Sequence, residues 1–324
     1  MKIHRRTFLA GTAAVLAAPS AAFAQSYPSR TIHLIVPYPA GGGTDFFARL
    51  VATPMGQTLG QQIVVENRPG AGTNIGAEAV ARATPDGYMF LLGDTATFAA
   101  NKSLYAKLNY DAAKDFAPVT LTGRFAMVLV VNTDKLKVSS VKELIAEAKK
   151  APGKIDFASV GIGSPHHLAA ELFAQSAGIK LNHVPYRGAA PAIQDLVGGQ
   201  IGMMFVDFAT ARGQLKNTQL KAIAVASPGE FYGLPGVPPI AKDVPGYEAW
   251  AWQGFVLPAK TPADIVTKLH DAYVKAVTNP EIKQKLIGAG IDPLQSTPAE
   301  MAAYMKSESA KWEKVIKSAN IKIE

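Results

Sequence analysis

Short apolar, strand-like runs alternate along this chain with helix-length segments, and that alternation narrows its possible folds more than any other feature. Ile32–Val36 leads to a helix over Phe46–Thr58, and Gln62–Glu66 leads to a helix over Ile75–Ala83. The turn Pro85-Asp86-Gly87 then precedes a strand over Tyr88–Leu92. This βαβαβ order predicts a mostly parallel sheet covered by helices, with ligand sites at the carboxyl ends of its strands. Phe116 to Asn132 reads differently, as two apolar strands around Val119–Leu121 and Met127–Val131 with Thr122-Gly123-Arg124 between them.

The alternation then restarts. Helices are expected over Val141–Lys149, Pro165–Ala177 and Pro191–Val197, and strands over Ile155–Val160, Leu181–Val184, Ile201–Val206 and Leu220–Ala226. A Pro/Gly-rich passage, Pro228 to Gly246, separates these from a strand at Trp252–Leu257 and helices at Pro262–Val277, Pro280–Ile287 and Pro298–Ser318. Three of these helices start with proline, whose missing N–H costs nothing in a first turn. Crossings near 120–126 and 227–250 describe two α/β lobes joined twice, with hinge motion in the connections and a ligand in the cleft. A single large doubly wound domain is the alternative.

Residues 1–24 have the form of an export signal. Lys2, Arg5 and Arg6 form a basic head, Phe8 to Ala18 an apolar stretch too short to span a membrane comfortably, and Ala22-Phe23-Ala24 a small-x-small cleavage pattern. The mature chain is expected to begin near Gln25, in the periplasm. Arg5-Arg6-Thr7-Phe8-Leu9 is similar to the twin-arginine signal, and a general secretory signal also fits. The chain has no cysteine, which excludes disulfides, thiolate metal sites, thiol nucleophiles and a lipidated N-terminal cysteine. Losing residues 1–24 lowers the formal charge from +8 to +5. The lysines are scattered, without the basic stripe and interleaved aromatics of a nucleic-acid binder. With 324 residues, 48% of them hydrophobic, the chain can build two substantial cores.

The glycine-rich turn Pro37-Tyr38-Pro39-Ala40-Gly41-Gly42-Gly43-Thr44-Asp45 joins a strand to a helix N-terminus. Such a turn gathers backbone N–H groups in one concavity with the positive end of a helix dipole behind them, a site for an anion such as a carboxylate. Val160-Gly161-Ile162-Gly163-Ser164-Pro165 is its counterpart, with Ser164 at the N-cap and Pro165 at N1. The amides of 163–167 are expected to point outward, so that two helix ends face across a cleft and suit two separated carboxylates. Both stretches also read as ordinary βα turns.

Arg187, in Pro185-Tyr186-Arg187-Gly188, is suited to a bidentate pair with a carboxylate, with Tyr186 as a wall. Asp45 reads as a capping residue before a catalytic base, and Asp207 at a strand end is equally ambiguous. Adjacent His166 and His167 point about a hundred degrees apart on a helix, so they do not share a metal ion readily; His167 reads as a ligand-side donor. Gly161-Ile162-Gly163-Ser164 is not Gly-x-Ser-x-Gly, no phosphate loop is present, and Phe46 stands where a dinucleotide fingerprint needs its third glycine. No nucleophile, metal site or cofactor site is expected.

Several motifs together resemble the extracytoplasmic solute receptors of tripartite tricarboxylate transporters, the Bug-type proteins. They are Tyr27-Pro28-Ser29-Arg30 through Asp45, Val65-Glu66-Asn67-Arg68-Pro69-Gly70-Ala71-Gly72, Pro85-Asp86-Gly87-Tyr88, Asp115-Phe116-Ala117-Pro118-Val119 and Val184-Pro185-Tyr186-Arg187-Gly188. They run in order over essentially the whole mature chain. The resemblance implies a two-lobed α/β periplasmic binding fold of type II-like form: lobe 1 over 25–123 with 248–324 returning to it, and lobe 2 over 124–247. It implies a monomer that delivers a di-, tri- or aromatic carboxylic acid to a permease of one large and one small membrane subunit. Loops 39–45 and 161–167 would hold the ligand from opposite lobes, with Thr95, Arg187 and Asp207 around the same cleft. Thr73-Asn74 departs from the family's further glycine, and Tyr38 replaces a common Phe. The site expected is Tyr38, Pro39, Ala40, Gly41, Gly42, Gly43, Thr44, Asp45, Thr95, Gly161, Gly163, Ser164, His167, Tyr186, Arg187 and Asp207. The alternatives are an enzyme acting on a carboxylate, with Asp45 or His167 as base, and a sensory receptor using the same pocket.

Overall fold

The computed structural model describes residues 27–323; the expected signal segment 1–24 and the start near Gln25 lie outside the described residues. The first part of the chain forms β1 (Ile32–Val36), α1 (Gly43–Leu59), β2 (Ile63–Asn67), α2 (Asn74–Ala81), β3 (Met89–Asp94), α3 (Asn101–Leu104) and β4 (Phe116–Asn132). Next come α4 (Val141–Lys150), β5 (Asp156–Ser159), α5 (Pro165–Ala177), β6 (Asn182–Pro185), α6 (Ala189–Val197), β7 (Met203–Asp207), α7 (Phe208–Ala211) and β8 (Leu220–Val225). The chain closes with β9 (Trp250–Pro258), α8 (Ala263–Thr278), α9 (Pro280–Gly288), β10 (Ile291–Pro293) and α10 (Pro298–Ser318).

The strands lie in the order β2-β1-β3-β9-β4-β7-β5-β6, with β8 and β10 also on β4. At the two ends, β1 is parallel to β2 and β3, and β5 is parallel to β6 and β7, as the alternation predicts. The inner strands differ. β9 and β4 run antiparallel to their neighbours because they are the segments that cross between the two halves. β4 is one strand of 17 residues, not the two expected. Its Thr122-Gly123 stretch is absorbed as a register shift against β9 between Leu121 and Gly123, so an extra residue bends the strand without ending it. β4 pairs with β9 over Phe116–Ala126 and with β7 over Met127–Val131, so it changes partner between Ala126 and Met127.

Local sequence explains several helix starts. Ser140, Ser164, Asn279 and Thr297 each accept a backbone N–H in the first turn of their helix, and Thr297 with Glu300 forms a capping box. Pro280 and Pro298 sit at the first helical position, whereas Pro262 is itself the N-cap of α8. Three elements escaped the pattern: the helical segment from Ala96 to Leu104, the short α7, and β10. The C-terminal helix is tied to the sheet through buried Glu308, whose Oε2 accepts from Trp252 Nε1 and Trp312 Nε1, both at 2.9 Å.

Candidate functional site

A cavity of about 130 Å³ opens where the carboxyl ends of β1, β3, β5, β6 and β7 converge, the usual ligand position in an open α/β sheet. One side is the loop Tyr38-Pro39-Ala40-Gly41-Gly42-Gly43-Thr44 with Asp94; the other is Val160, Pro165, His166, Arg187 to Pro191, and Asp207. Phe125 of β4 and Ala251 and Gln253 of β9 form the floor.

The loop after β1 is fixed from behind. Asp45 accepts from Gly41 N at 3.0 Å, from Arg49 Nε at 3.0 and 3.1 Å and from Asn67 Nδ2 at 3.0 Å, while Asn67 Nδ2 also reaches Tyr38 O at 3.0 Å. Burial pushes the Asp45 carboxyl up, but the bonds from Arg49, Gly41 and Asn67 outweigh this and hold it below its ordinary range. Asp45 is buried and does not line the cavity; it is a fastener rather than a base. Gly42 caps α1 without a side-chain acceptor, so the helix presents its first amides uncapped at Gly43 and Thr44, which line the cavity. A Cβ on Gly43 would come within 2.7 Å of Asp207 Oδ1 and 3.2 Å of Phe125, so only glycine allows the opposite wall this close.

The polar wall has two carboxylates, each already engaged. Tyr38 donates its hydroxyl to Asp94 Oδ2 at 2.6 Å, and Thr97 donates N–H and hydroxyl to Oδ1 at 3.1 Å each. Burial pushes Asp94 above its ordinary value in spite of these bonds. Asp207 caps α7, accepting from Thr210 N at 2.9 Å and Thr210 Oγ1 at 3.0 Å, and meets His166 Nε2 at 3.4 Å. Burial raises Asp207 as well, but His166 and Thr210 outweigh it and leave the carboxyl below its usual range. His166 Nδ1 and Gln253 Oε1 are buried without a partner, although Gln253 Nε2 donates to Thr44 Oγ1. Arg187 is exposed at the cavity mouth and makes no ion pair among the described residues.

The second glycine loop departs from expectation. Four of its amides turn inward: Gly163 N donates to His167 Nδ1 at 3.0 Å, His167 N to Ser164 Oγ at 3.3 Å, Ser164 N to Gly161 O at 3.2 Å and Gly161 N to Ser159 Oγ at 3.2 Å. Gly161, Gly163, Ser164 and His167 therefore do not line the cavity. His167 is buried against His183, and its neighbour His166, a hundred degrees around α5, faces the cavity instead. Thr95 is fully buried, accepting from Trp252 N at 3.4 Å, and the Tyr186 hydroxyl is turned to Asp195 at 2.7 Å. Neither lines the cavity.

Of the sequence-derived set, Tyr38 to Thr44, Arg187 and Asp207 do come together there. Sequence reasoning missed Asp94, Phe125, Val160, Pro165, His166, Gly188 to Pro191, Ala251 and Gln253. Asp94 was the most accessible of these, as an acid closing a strand beside the glycine loop. Among the described residues, no group of three or more His, Asp or Glu is placed to hold a metal ion, and no helix is long and apolar enough to cross a membrane.

Comparison with known proteins agrees with this architecture. Protein BugT of Bordetella pertussis is 34% identical over 310 residues, covering 95% of this chain and 94% of that protein. The structure of R. palustris Rpa4515 with adipate superposes with a TM-score of 0.87 at 34% identity, covering 92% of this chain and all of that one. MatC from Rhodopseudomonas palustris with bound malate gives a TM-score of 0.83 at 31% identity, covering 90% of this chain and all of that one. The chain has the α/β fold of a periplasmic binding protein, as BugD does, and is a receptor rather than an enzyme. The tripartite tricarboxylate transporter family receptor profile matches residues 47–321, and the chain belongs to that family.

Proposed function

We propose that this protein captures a small carboxylate in the cavity between the 38–44 loop and the 187–191 loop, in the periplasm, and delivers it to a tripartite membrane transporter with one large and one small membrane subunit. The observation that carries this reading is the pairing of an uncapped helix end at Gly43 and Thr44 with unpaired Arg187 on the same small cavity. The similar structures that hold adipate and malate support the ligand class. Residues 25–123 with 248–324 would act as one lobe and 124–247 as the other, closing as a monomer around the ligand. The change of partner along β4 after Ala126, and the start of β9 at Trp250, support that division. Tighter binding to the closed form drives closure, with no covalent step.

Thermal unfolding of the purified protein against a panel of mono-, di-, tri- and aromatic carboxylates tests the receptor reading. One acid is expected to raise the midpoint and be recovered unchanged; saturation at a hundred times its dissociation constant adds about 2.7 kcal/mol. No shift with any acid, or consumption of the acid, overturns it. Delivery is tested by uptake of that acid in membrane vesicles containing the permease, with and without the receptor.

A further inference from the structure

The lysines look scattered along the sequence, but the fold collects nine of them at one end of the sheet. β8, β4, β7, β5 and β6 lie side by side, and their register aligns five strand ends along a single edge. Asn132 at the end of β4 pairs with Leu220 at the start of β8, and Val131 with Met203 at the start of β7. Met203 is level with Phe157 of β5, and Asp156 pairs with Asn182 at the start of β6. With neighbouring strands about 4.8 Å apart, this edge is roughly 19 Å wide. It is remote from the ligand cavity, which lies where β5, β6 and β7 finish.

The segments that enter and leave this edge are 133–156, 178–182, 198–202 and 216–221. The first, which includes α4, carries Lys135, Lys137, Lys142, Lys149, Lys150 and Lys154. Lys180 precedes β6, and Lys216 and Lys221 flank the start of β8. All nine are exposed, and among the described residues only Lys150 of this set has an ion-pair partner, Glu147 at 2.9 Å. The same segments contain four acids and no arginine. Each acid is engaged locally: Asp134 by Gln219, Glu143 by Ser139, Glu147 by Lys150 and Asp156 by Asn182. The formal charge of this edge is therefore +5. Residues 25–324 carry 30 Lys and Arg against 25 Asp and Glu, so the rest of the mature chain, with 21 of each sign, is neutral. The whole excess charge sits on one pole.

The chemistry of this pole says what it fits. Its charges are all ammonium groups on flexible stems, without the Arg and aromatic anchors of specific protein interfaces or the stacking rings of nucleic-acid sites. The exposed large hydrophobic residues among those described, Phe46, Ile75, Ile162 and Tyr232, all lie in other segments. Nothing at the pole inserts into a bilayer or forms the buried centre of a protein interface. A fluid layer of anionic headgroups demands no fixed spacing and matches diffuse lysines. We propose that this pole rests reversibly on the anionic phospholipid surface of a membrane. The contact is electrostatic, leaves the cavity at the opposite strand ends uncovered, and is independent of which acid the cavity takes. For a periplasmic receptor it keeps the protein at the membrane that contains the transporter.

The test is sedimentation of the mature protein with phosphatidylcholine vesicles, with and without about 30% phosphatidylglycerol. The protein is expected to sediment with the anionic vesicles only, and raising salt from about 50 mM to about 300 mM should weaken binding roughly tenfold or more. No binding to anionic vesicles, or equal binding to neutral ones, overturns the proposal. Lys149→Glu, Lys154→Glu and Lys180→Glu together should weaken binding roughly tenfold or more. Lys260→Glu, Lys283→Glu and Lys314→Glu, at exposed lysines outside the pole, give the same net charge and should weaken it about threefold or less. Equal losses in the two triple variants would mean that net charge alone drives binding, and overturn the assignment to this pole. Pole-dependent retention on the purified permease, without any binding to lipid, overturns it in favour of a protein partner. The vesicle comparison with the wild type stands whether or not a variant folds.

Discussion

The imidazole rings of His167 and His183 lie face to face, 3.8 Å apart between centroids and 9° from parallel, directly beneath the loop that opens α5. His183 Nε2 is 2.6 Å from Ser159 Oγ, and His167 Nδ1 accepts the Gly163 amide, so the stack holds the loop through both rings. Burial, then the neighbouring His167, lowers the pKa of His183 to about 3. The folded protein therefore keeps His183 neutral where the unfolded chain, near pH 6.5, already takes up a proton. The stabilisation is fully present above pH 6.5 and is lost as pH falls toward 3, with a slope of up to about 1.4 kcal/mol per pH unit. Urea midpoints measured from pH 7.5 to 5 should fall in the wild type and fall less steeply in His183→Gln. Equal slopes would contradict the assignment.

Arg187 has a different kind of role. It is exposed and unpaired among the described residues, so Arg187→Ala should change the unfolding free energy by no more than about 0.5 kcal/mol. Loss of a charge-assisted bond to a ligand carboxylate should weaken binding by about 1.5–3 kcal/mol, roughly ten- to a hundredfold. Titration of the variant with the acid that binds the wild type checks both halves.

Much of this site was legible in the sequence because its backbone part is local. A strand, three glycines and a helix start fix the 37–45 loop within nine residues, and Pro185-Tyr186-Arg187-Gly188 likewise places Arg187 at the end of β6. The remainder depends on distant pairing. Gln253 reaches the floor only because β9 lies between β3 and β4, from more than 200 residues beyond the loop it bonds. Which of His166 and His167 faces the ligand depends on the rotational setting of α5, which the Gly163–His167 bond and the His183 stack decide. The inward turn of the Gly161 and Gly163 amides was illegible for the same reason: their acceptors, Ser159 Oγ and His167 Nδ1, lie in side chains whose direction no local rule fixes. β4 reads as two strands in the sequence because Thr-Gly-Arg looks like a turn, and pairing with β9 overrides that local preference.

Gly43 has a negative consequence for any larger residue. Gly43→Ala would favour the helix locally, yet its Cβ would collide with Asp207 Oδ1 and crowd Phe125. Overpacking of about 1–3 kcal/mol is expected where the two walls meet. It should appear as a five- to hundredfold loss of ligand affinity, with far-UV circular dichroism unchanged, and titration of the variant reads it directly.

Glu308 is a stability residue rather than a site residue. Its Oε2 satisfies both Trp252 and Trp312, so Glu308→Leu strands two buried indole N–H groups. Denaturant unfolding should show a loss of about 2–5 kcal/mol, with Glu308→Gln milder because it keeps one acceptor oxygen.

The most direct measurement is a crystal structure of the protein grown with the acid that most raises its unfolding midpoint. A ligand carboxylate is expected within hydrogen-bond distance of the Gly43 or Thr44 amide, with Arg187 beside it. A carboxylate bound anywhere outside this cavity, or held in it by the α5 loop amides with the α1 end empty, would contradict it.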